Sequence, residues 1–261
     1  MSDKIKAMWN NCSDEYHAGA RDNGVYDRIA ANPSWAFPPE VFAMMTGAFP
    51  SFEGLRILVP SSGDNAAAFA FHLLGAKVTS ADLSERQIHN AKRVGSGRGW
   101  DIKFICTDSM TLDGIADGEY DLVYTSNGVH VWIDDLSAMY GNFRRVLKPH
   151  GRYIMFETHP IIRPFDDSAA EVKIVKLYED TQPRPGEVTY AWRIRDIINS
   201  LISAGFSLNC MEEFRPLPNS CDLWWYKSIA EAEADSNAKF DWVKNPWAAL
   251  PQWMGMSASI L

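Results

Sequence analysis

From Leu55 onward, short apolar runs alternate with stretches in which apolar residues recur at helical spacing. Leu55–Val59 and Lys77–Ala81 read as strands. Between them, Asp64 to Leu74 reads as a helix apolar on all sides, hence buried, with Gly75 ending it. Ser84 to about Val94 gives a second helix, Ile102–Cys106 a third strand and Tyr120–Thr125 a fourth. Leu136, Met139, Tyr140, Phe143, Val146 and Leu147 share one helical face, and Pro149 with Gly151 stops that helix. Tyr153–Phe156 follows as a fifth strand. Ile194, Ile197, Ile198, Leu201 and Ile202 mark another amphipathic helix, closed by Gly205, and Phe206–Cys210 is a sixth strand. Such alternation predicts a parallel sheet covered on both faces.

This pattern divides the chain. Residues 1–54 form a helical extension holding Trp9, Tyr16, Tyr26 and Trp35, expected either to cover a pocket or simply to pack. Residues 55–261 form the main domain, with insertions at about 159–192 and 216–251. The second insertion is rich in Trp and Pro and contains an acidic, helix-like piece at Ser228–Ala234. No internal repeat or low-complexity segment is present.

Composition narrows the partners. With 25 basic against 33 acidic side chains the net charge is −8, so the chain repels nucleic acid and anionic membrane at long range. Neither is expected as a partner. The longest apolar run, Ala66–Leu74, is too short to span a bilayer, and Met-Ser-Asp-Lys-Ile-Lys has no signal-peptide character. A cytoplasmic monomer or homodimer is expected. Cys12, Cys106, Cys210 and Cys221 show no metal-ligand spacing and read as reduced thiols.

The first strand runs into Pro60-Ser61-Ser62-Gly63-Asp64-Asn65. Small residues in such a turn let a ligand approach the backbone, and the helix behind it offers unpaired N–H groups. Asp82 ends the second strand, at a distance from Gly63 close to the ~20 residues that separate turn and ribose-binding acid in nucleotide-binding units.

In this order the motifs resemble the class I S-adenosylmethionine-dependent methyltransferase family. Ala81-Asp82-Leu83-Ser84 is similar to its ribose-binding motif. Cys106-Thr107-Asp108-Ser109 resembles its adenine-side acid, and Tyr120-Asp121-Leu122-Val123 with Ser126-Asn127-Gly128 its fourth motif. Leu147-Lys148-Pro149-His150-Gly151 resembles the Leu-Lys-Pro-Gly-Gly turn, and Ala204-Gly205-Phe206 the entry to the sixth strand. The likeness runs from about Leu55 to Cys210. It departs at the first motif, where Val59 stands in place of an acid, and Ser61, Gly63 and Asn65 in place of three glycines. Asp64 or Asn65 then compensates, or Asp64 is only a helix N-cap.

The resemblance implies an α/β fold: a doubly wound, mostly parallel seven-stranded Rossmann-like sheet with helices on both faces. It implies S-adenosyl-L-methionine as cofactor, held by Ser61, Gly63, Asn65, Asp82, Leu83, Asp108, Ser109 and Asn127, and methylation of a small-molecule acceptor. Catalytic candidates are His130, just past the fourth strand, and a Glu157–His159 pair at the end of the fifth, acting as base and orienter. Hydrogen bonding within the loops is the alternative for all of them, and no metal is expected. Arg163, Tyr190, Trp192 and Arg193 in the insertion are expected at the acceptor, where an arginine would bind a carboxylate. Two other classes stay open: a nicotinamide-dependent Rossmann oxidoreductase and a noncatalytic cofactor-binding protein.

Overall fold

The computed structural model describes residues 2–166, 172–184, 186–215, 226, 229–235 and 238–260. Three helices, α1 (Ser2–Asp22), α2 (Val25–Ala31) and α3 (Pro39–Ala48), precede the sheet. Then β1 (Arg56–Pro60), α4 (Ala66–Leu73), β2 (Lys77–Asp82), α5 (Glu85–Arg98), β3 (Lys103–Cys106) and β4 (Tyr120–Ser126) follow in alternation. The chain continues through α6 (Leu136–Val146), β5 (Leu147–Thr158), α7 (Ile194–Ser203), β6 (Phe206–Phe214), α8 (Ile229–Ala234) and β7 (Trp253–Ile260).

The strands form one seven-stranded sheet in the order β3-β2-β1-β4-β5-β7-β6. β1 to β5 are parallel, whereas β7 runs antiparallel to both β5 and β6. The expected doubly wound architecture is present. Its strands are apolar at consecutive positions because both faces are covered. Ile57 and Val59, Leu122 and Tyr124, and Ile154 and Phe156 pack with α2, α3 and α4 on one side. Leu58, Val123, Tyr153 and Met155 point the other way, onto α6 and α7.

Element ends differ from expectation in instructive places. α4 starts at Ala66 rather than Asp64, because Asn65 takes a left-handed φ of 66° that no helix continues through. β5 begins at Leu147, directly after α6, not at Tyr153. Leu147 pairs with Tyr120, and the register then shifts so that Leu122 faces Arg152. The Lys148–Gly151 bend is thus a bulge inside the strand; a Cβ on Gly151 would sit 2.8 Å from the Lys148 carbonyl oxygen. The 159–192 insertion holds a short 3-10 turn at Pro160–Ile162 and one isolated bridge, Phe165 to Ile174. Part of both insertions, with Cys221, Trp224 and Trp225, lies outside the described residues.

The N-terminal helices are fastened in two ways. On the apolar side, buried Phe37 contacts Phe71 at 4.8 Å and Tyr124 at 5.6 Å between ring centres, and Phe52 contacts Phe71 at 5.7 Å. On the polar side α1 lies along α5. Asn10 accepts from the Ser84 hydroxyl at 2.6 Å, Ser13 donates to Gln87 at 2.8 Å, and Arg86 forms a forked pair with Asp14 at 2.7 and 2.6 Å. The arginine pair is exposed and contributes little; the buried Ser13–Gln87–Asn90 set carries the register.

Phe71 is therefore the residue joining extension to sheet. Phe71→Ala is expected to lower unfolding free energy by roughly 3–5 kcal/mol and Phe71→Leu by less, as read by urea denaturation.

Candidate functional site

The chain walks outward from β1 to β2 to β3, then returns to the other side of β1 with β4 and β5. At such a switch point the loops at the carboxyl ends of adjacent strands separate and leave a crevice. A cavity of about 740 Å³ lies there. Its floor is the turn Ser61–Asp64, the β2 end at Asp82 and Leu83, the β3 loop at Asp108–Met110, and the β4 end at Ser126–Val129. Its roof is α1, which presents Ile5, Trp9, Cys12, Tyr16 and Ala20 at helical spacing, with Glu15 beside them.

The floor is backbone held in unusual conformations. Ser61 has φ 49° and Asn127 φ 64°, beside Gly63 at 52° and Gly128 at 92°. Non-glycine residues in this region store strain and persist only where their surroundings fix them. Here the fixing groups are visible. The Ser61 hydroxyl bonds that of Ser109 at 2.8 Å, and the Asn65 amide donates to the Gly63 carbonyl at 2.8 Å while its oxygen accepts from Ser80. A Cβ built on Gly63 would meet nothing within 4 Å, so this backbone faces open space.

Asp82 sits at the centre. Its Oδ2 accepts from the Gly63 N–H at 3.1 Å and its Oδ1 from the Ser84 N–H at 2.9 Å. The residue is 7% exposed, and burial pushes its carboxyl up to about 6. A carboxylate has about four acceptor sites, so acceptor capacity remains for a hydroxyl donor in the cavity. Asp64 also lines the cavity; one of its oxygens accepts from the Ala66 N–H at 3.0 Å, and burial raises its pKa. The N-cap of α4 is Asn65, one residue later than expected, so Asp64 is not the cap; it accepts from the first helical N–H and lines the cavity.

Of the expected cofactor residues, Ser61, Gly63, Asp82, Leu83, Asp108, Ser109 and Asn127 come together on the cavity wall. Asn65 does not. It is fully buried, and its side chain is spent on holding Gly63 and Ser80.

His130, Glu157 and His159, the catalytic candidates, do not line the cavity. Glu157 and His159 do not pair: β5 ends at Thr158, His159 lies just past it, and each meets a different partner. Glu157 accepts from the His130 backbone N–H at 2.9 Å, His130 Nδ1 at 2.7 Å and the Thr158 N–H at 2.9 Å. His130 Nε2 meets the Tyr140 hydroxyl at 2.6 Å. Both ring nitrogens are therefore occupied, His130 and Glu157 are 2% and 1% exposed, and neither reaches the cavity wall. They clamp the strained turn after β4 onto β5. His159 is turned toward β6, where it meets Glu213 at 2.6 Å.

The acceptor candidates have partners elsewhere. Arg193 forms a capping box with Asp196 at the start of α7. Trp192 stacks on Tyr190 at 5.7 Å and donates from Nε1 to the Ile133 carbonyl at 2.8 Å. Arg163 lies 3.5 Å from the Thr189 hydroxyl. None of these four lines the cavity. The lining residues outside the expected cofactor and acceptor sets include those of α1, Trp132 and Trp253; the alternating spacing of four and three residues from Ile5 through Trp9 and Cys12 to Tyr16 was the signal available.

Strand order, switch-point cavity and strand-end acid together define the class I S-adenosylmethionine-dependent methyltransferase fold. Residues 59–155 match the methyltransferase domain family. The demethylmenaquinone methyltransferase of Thermus thermophilus is 31% identical over 103 residues, 40% of this chain and 46% of that protein. An uncharacterized methyltransferase of Bacillus subtilis, YbaJ, is 23% identical over 174 residues, covering 60% of this chain and 68% of its own. The chain thus spans about half to two thirds of these relatives' length. An S-adenosylmethionine-dependent methyltransferase from Mesorhizobium loti superposes with a TM-score of 0.63 at 22% identity, over 84% of this chain and 96% of that one.

Two measurements check the side-chain assignments. His130→Ala, which leaves Glu157 buried with its ring partner gone, is expected to cost roughly 3–5 kcal/mol of stability, seen in denaturant midpoints. His159 takes the N–H of Ile161 on Nδ1 at 3.0 Å, so its proton is on Nε2, donated to Glu213. Burial lowers its pKa despite that carboxylate. The unfolded chain then binds a proton that the folded one refuses, and stability falls as pH drops below about 6.5. The melting temperature of His159→Gln should lose less than wild type over that interval.

Proposed function

We propose that this protein transfers the methyl group of S-adenosyl-L-methionine to a small-molecule acceptor. The observation that carries the proposal is the buried Asp82 carboxyl, tied to Gly63 and Ser84 and retaining free acceptor capacity toward the cavity. A ribose offers two adjacent hydroxyl donors to such a group. Ser61–Gly63 lets the backbone approach the ligand closely, and Asp108 with Ser109 supplies polar partners on the adenine side.

When bound, the cofactor would supply an electrophilic methyl carried on a sulfonium, open to attack by an acceptor's lone pair. What remains for the protein is alignment and exclusion of water. The roof formed by α1 performs the second task, and the clamped turn at Asn127–Val129 fixes the first. A protein base is required only for an acceptor protonated at its working pH. The engagement of both His130 nitrogens supports a mechanism without an imidazole base.

That same engagement gives the noncatalytic binder its standing as a second reading. Radiolabelled cofactor incubated with a metabolite extract separates the two: label appearing in small molecules supports transfer, and tight binding without label supports the binder.

Cofactor binding should also report Asp82 directly. Ribose hydroxyls donate to its ionised form, so calorimetric affinity is expected to fall by about tenfold per pH unit below about 6 and to be flat above it. Asp82→Asn should weaken binding about 10- to 100-fold and abolish that slope. NAD and NADP should not bind; a nicotinamide cofactor binding in place of S-adenosylmethionine would overturn the assignment.

A further inference from the structure

The cavity has a charge character that the cofactor reading alone does not account for. Its wall carries Glu15, Asp64, Asp82 and Asp108, and no Lys, Arg or His among the described residues. The undescribed segments hold Lys227 as their cationic side chain. Both arginines expected to read an acceptor carboxylate are engaged elsewhere, Arg193 with Asp196 and Arg163 beside Thr189.

The acids are not all on one side. Asp64, Asp82 and Asp108 stand on strand-end loops of the floor, where the cofactor's ribose, adenine and cationic end are accommodated. Glu15 alone comes from the roof. It is exposed, has no hydrogen bond or ion pair among the described residues, and borders the row of rings on α1. Trp9 meets Tyr16 edge-on at 5.4 Å and Trp132 edge-on at 5.3 Å, so aromatic surface runs unbroken from α1 to the turn after β4. Tyr16 is 50% exposed although it lines the cavity, leaving ring surface available to a ligand.

Aromatic faces beside a carboxylate attract a cation and repel an anion. We propose that the α1 face formed by Trp9, Glu15 and Tyr16 is the acceptor-reading wall, and that it selects a ring-bearing amine while excluding carboxylates and phosphates. The proposal rests on the methyltransferase reading and adds the acceptor's chemical class. Specificity then resides in the extension and not in the insertion of the main domain.

The test uses the full chain saturated with S-adenosylhomocysteine and three probes that share one ring and differ in charge: phenethylamine, 2-phenylethanol and phenylacetate. Calorimetry should rank them amine, alcohol, carboxylate, with about tenfold between the first two. Glu15→Gln should remove that tenfold preference and leave the alcohol unchanged, and Glu15→Arg should favour phenylacetate. Trp9→Ala should weaken all three together. Equal or tighter binding of phenylacetate to the unaltered protein, no amine binding, or an unchanged ranking in Glu15→Gln overturns the proposal. Because S-adenosylhomocysteine affinity is measured first in each variant, loss of the underlying reading is seen separately, as failure of that ligand to bind.

Discussion

A single buried carboxyl organises this molecule. Asp82 closes β2, receives the N–H of the turn after β1 and receives the N–H that starts α5. Taking a carboxylate out of water is costly unless its lone pairs are met, so the turn and the helix start must converge on it. Ser84 extends the same connection: its hydroxyl accepts from Gln87 as the N-cap of α5 and donates to Asn10 of α1. Floor, helix and roof are thereby in register through one short polar path.

The second wall of the cavity is held by a different device. The turn after β4 contains left-handed Asn127 and Gly128, a conformation that would relax if left alone. Glu157 on β5 prevents that by taking three N–H groups, two of them from His130, while Tyr140 of α6 meets the far side of the imidazole. A Glu–His–Tyr line suggests proton transfer when seen as residue types. Sealed in the sheet with every partner assigned, it is a fastener.

Much of the fold was legible because strands buried on both faces and a helix with a clean apolar stripe leave distinct patterns. Asp82 was legible for the same reason: the spacing between turn and acid is imposed by the length of α4 and the intervening strand. Residues whose role depends on which way a loop turns were not. Arg193, Trp192 and Tyr190 had the chemistry for an acceptor site, yet a capping box and a stacked pair claim them. The bulge in β5 was also hidden, since Pro149 and Gly151 carry the same signal whether they end a helix or bend a strand. Trp9 and Tyr16 were noticed as aromatics, but nothing local says which surface a detached helix will lie upon.

The antiparallel β7 has a consequence for how the molecule is assembled. It is wedged between β5 and β6 and hydrogen-bonds along both, so those strands never touch. During synthesis the nascent sheet must wait with two open edges until residues 253–260 emerge, and Trp253, which completes the cavity wall, arrives with them. The cavity wall is therefore completed only once those residues have emerged, and chaperones have a defined pair of unpaired strands to guard until then.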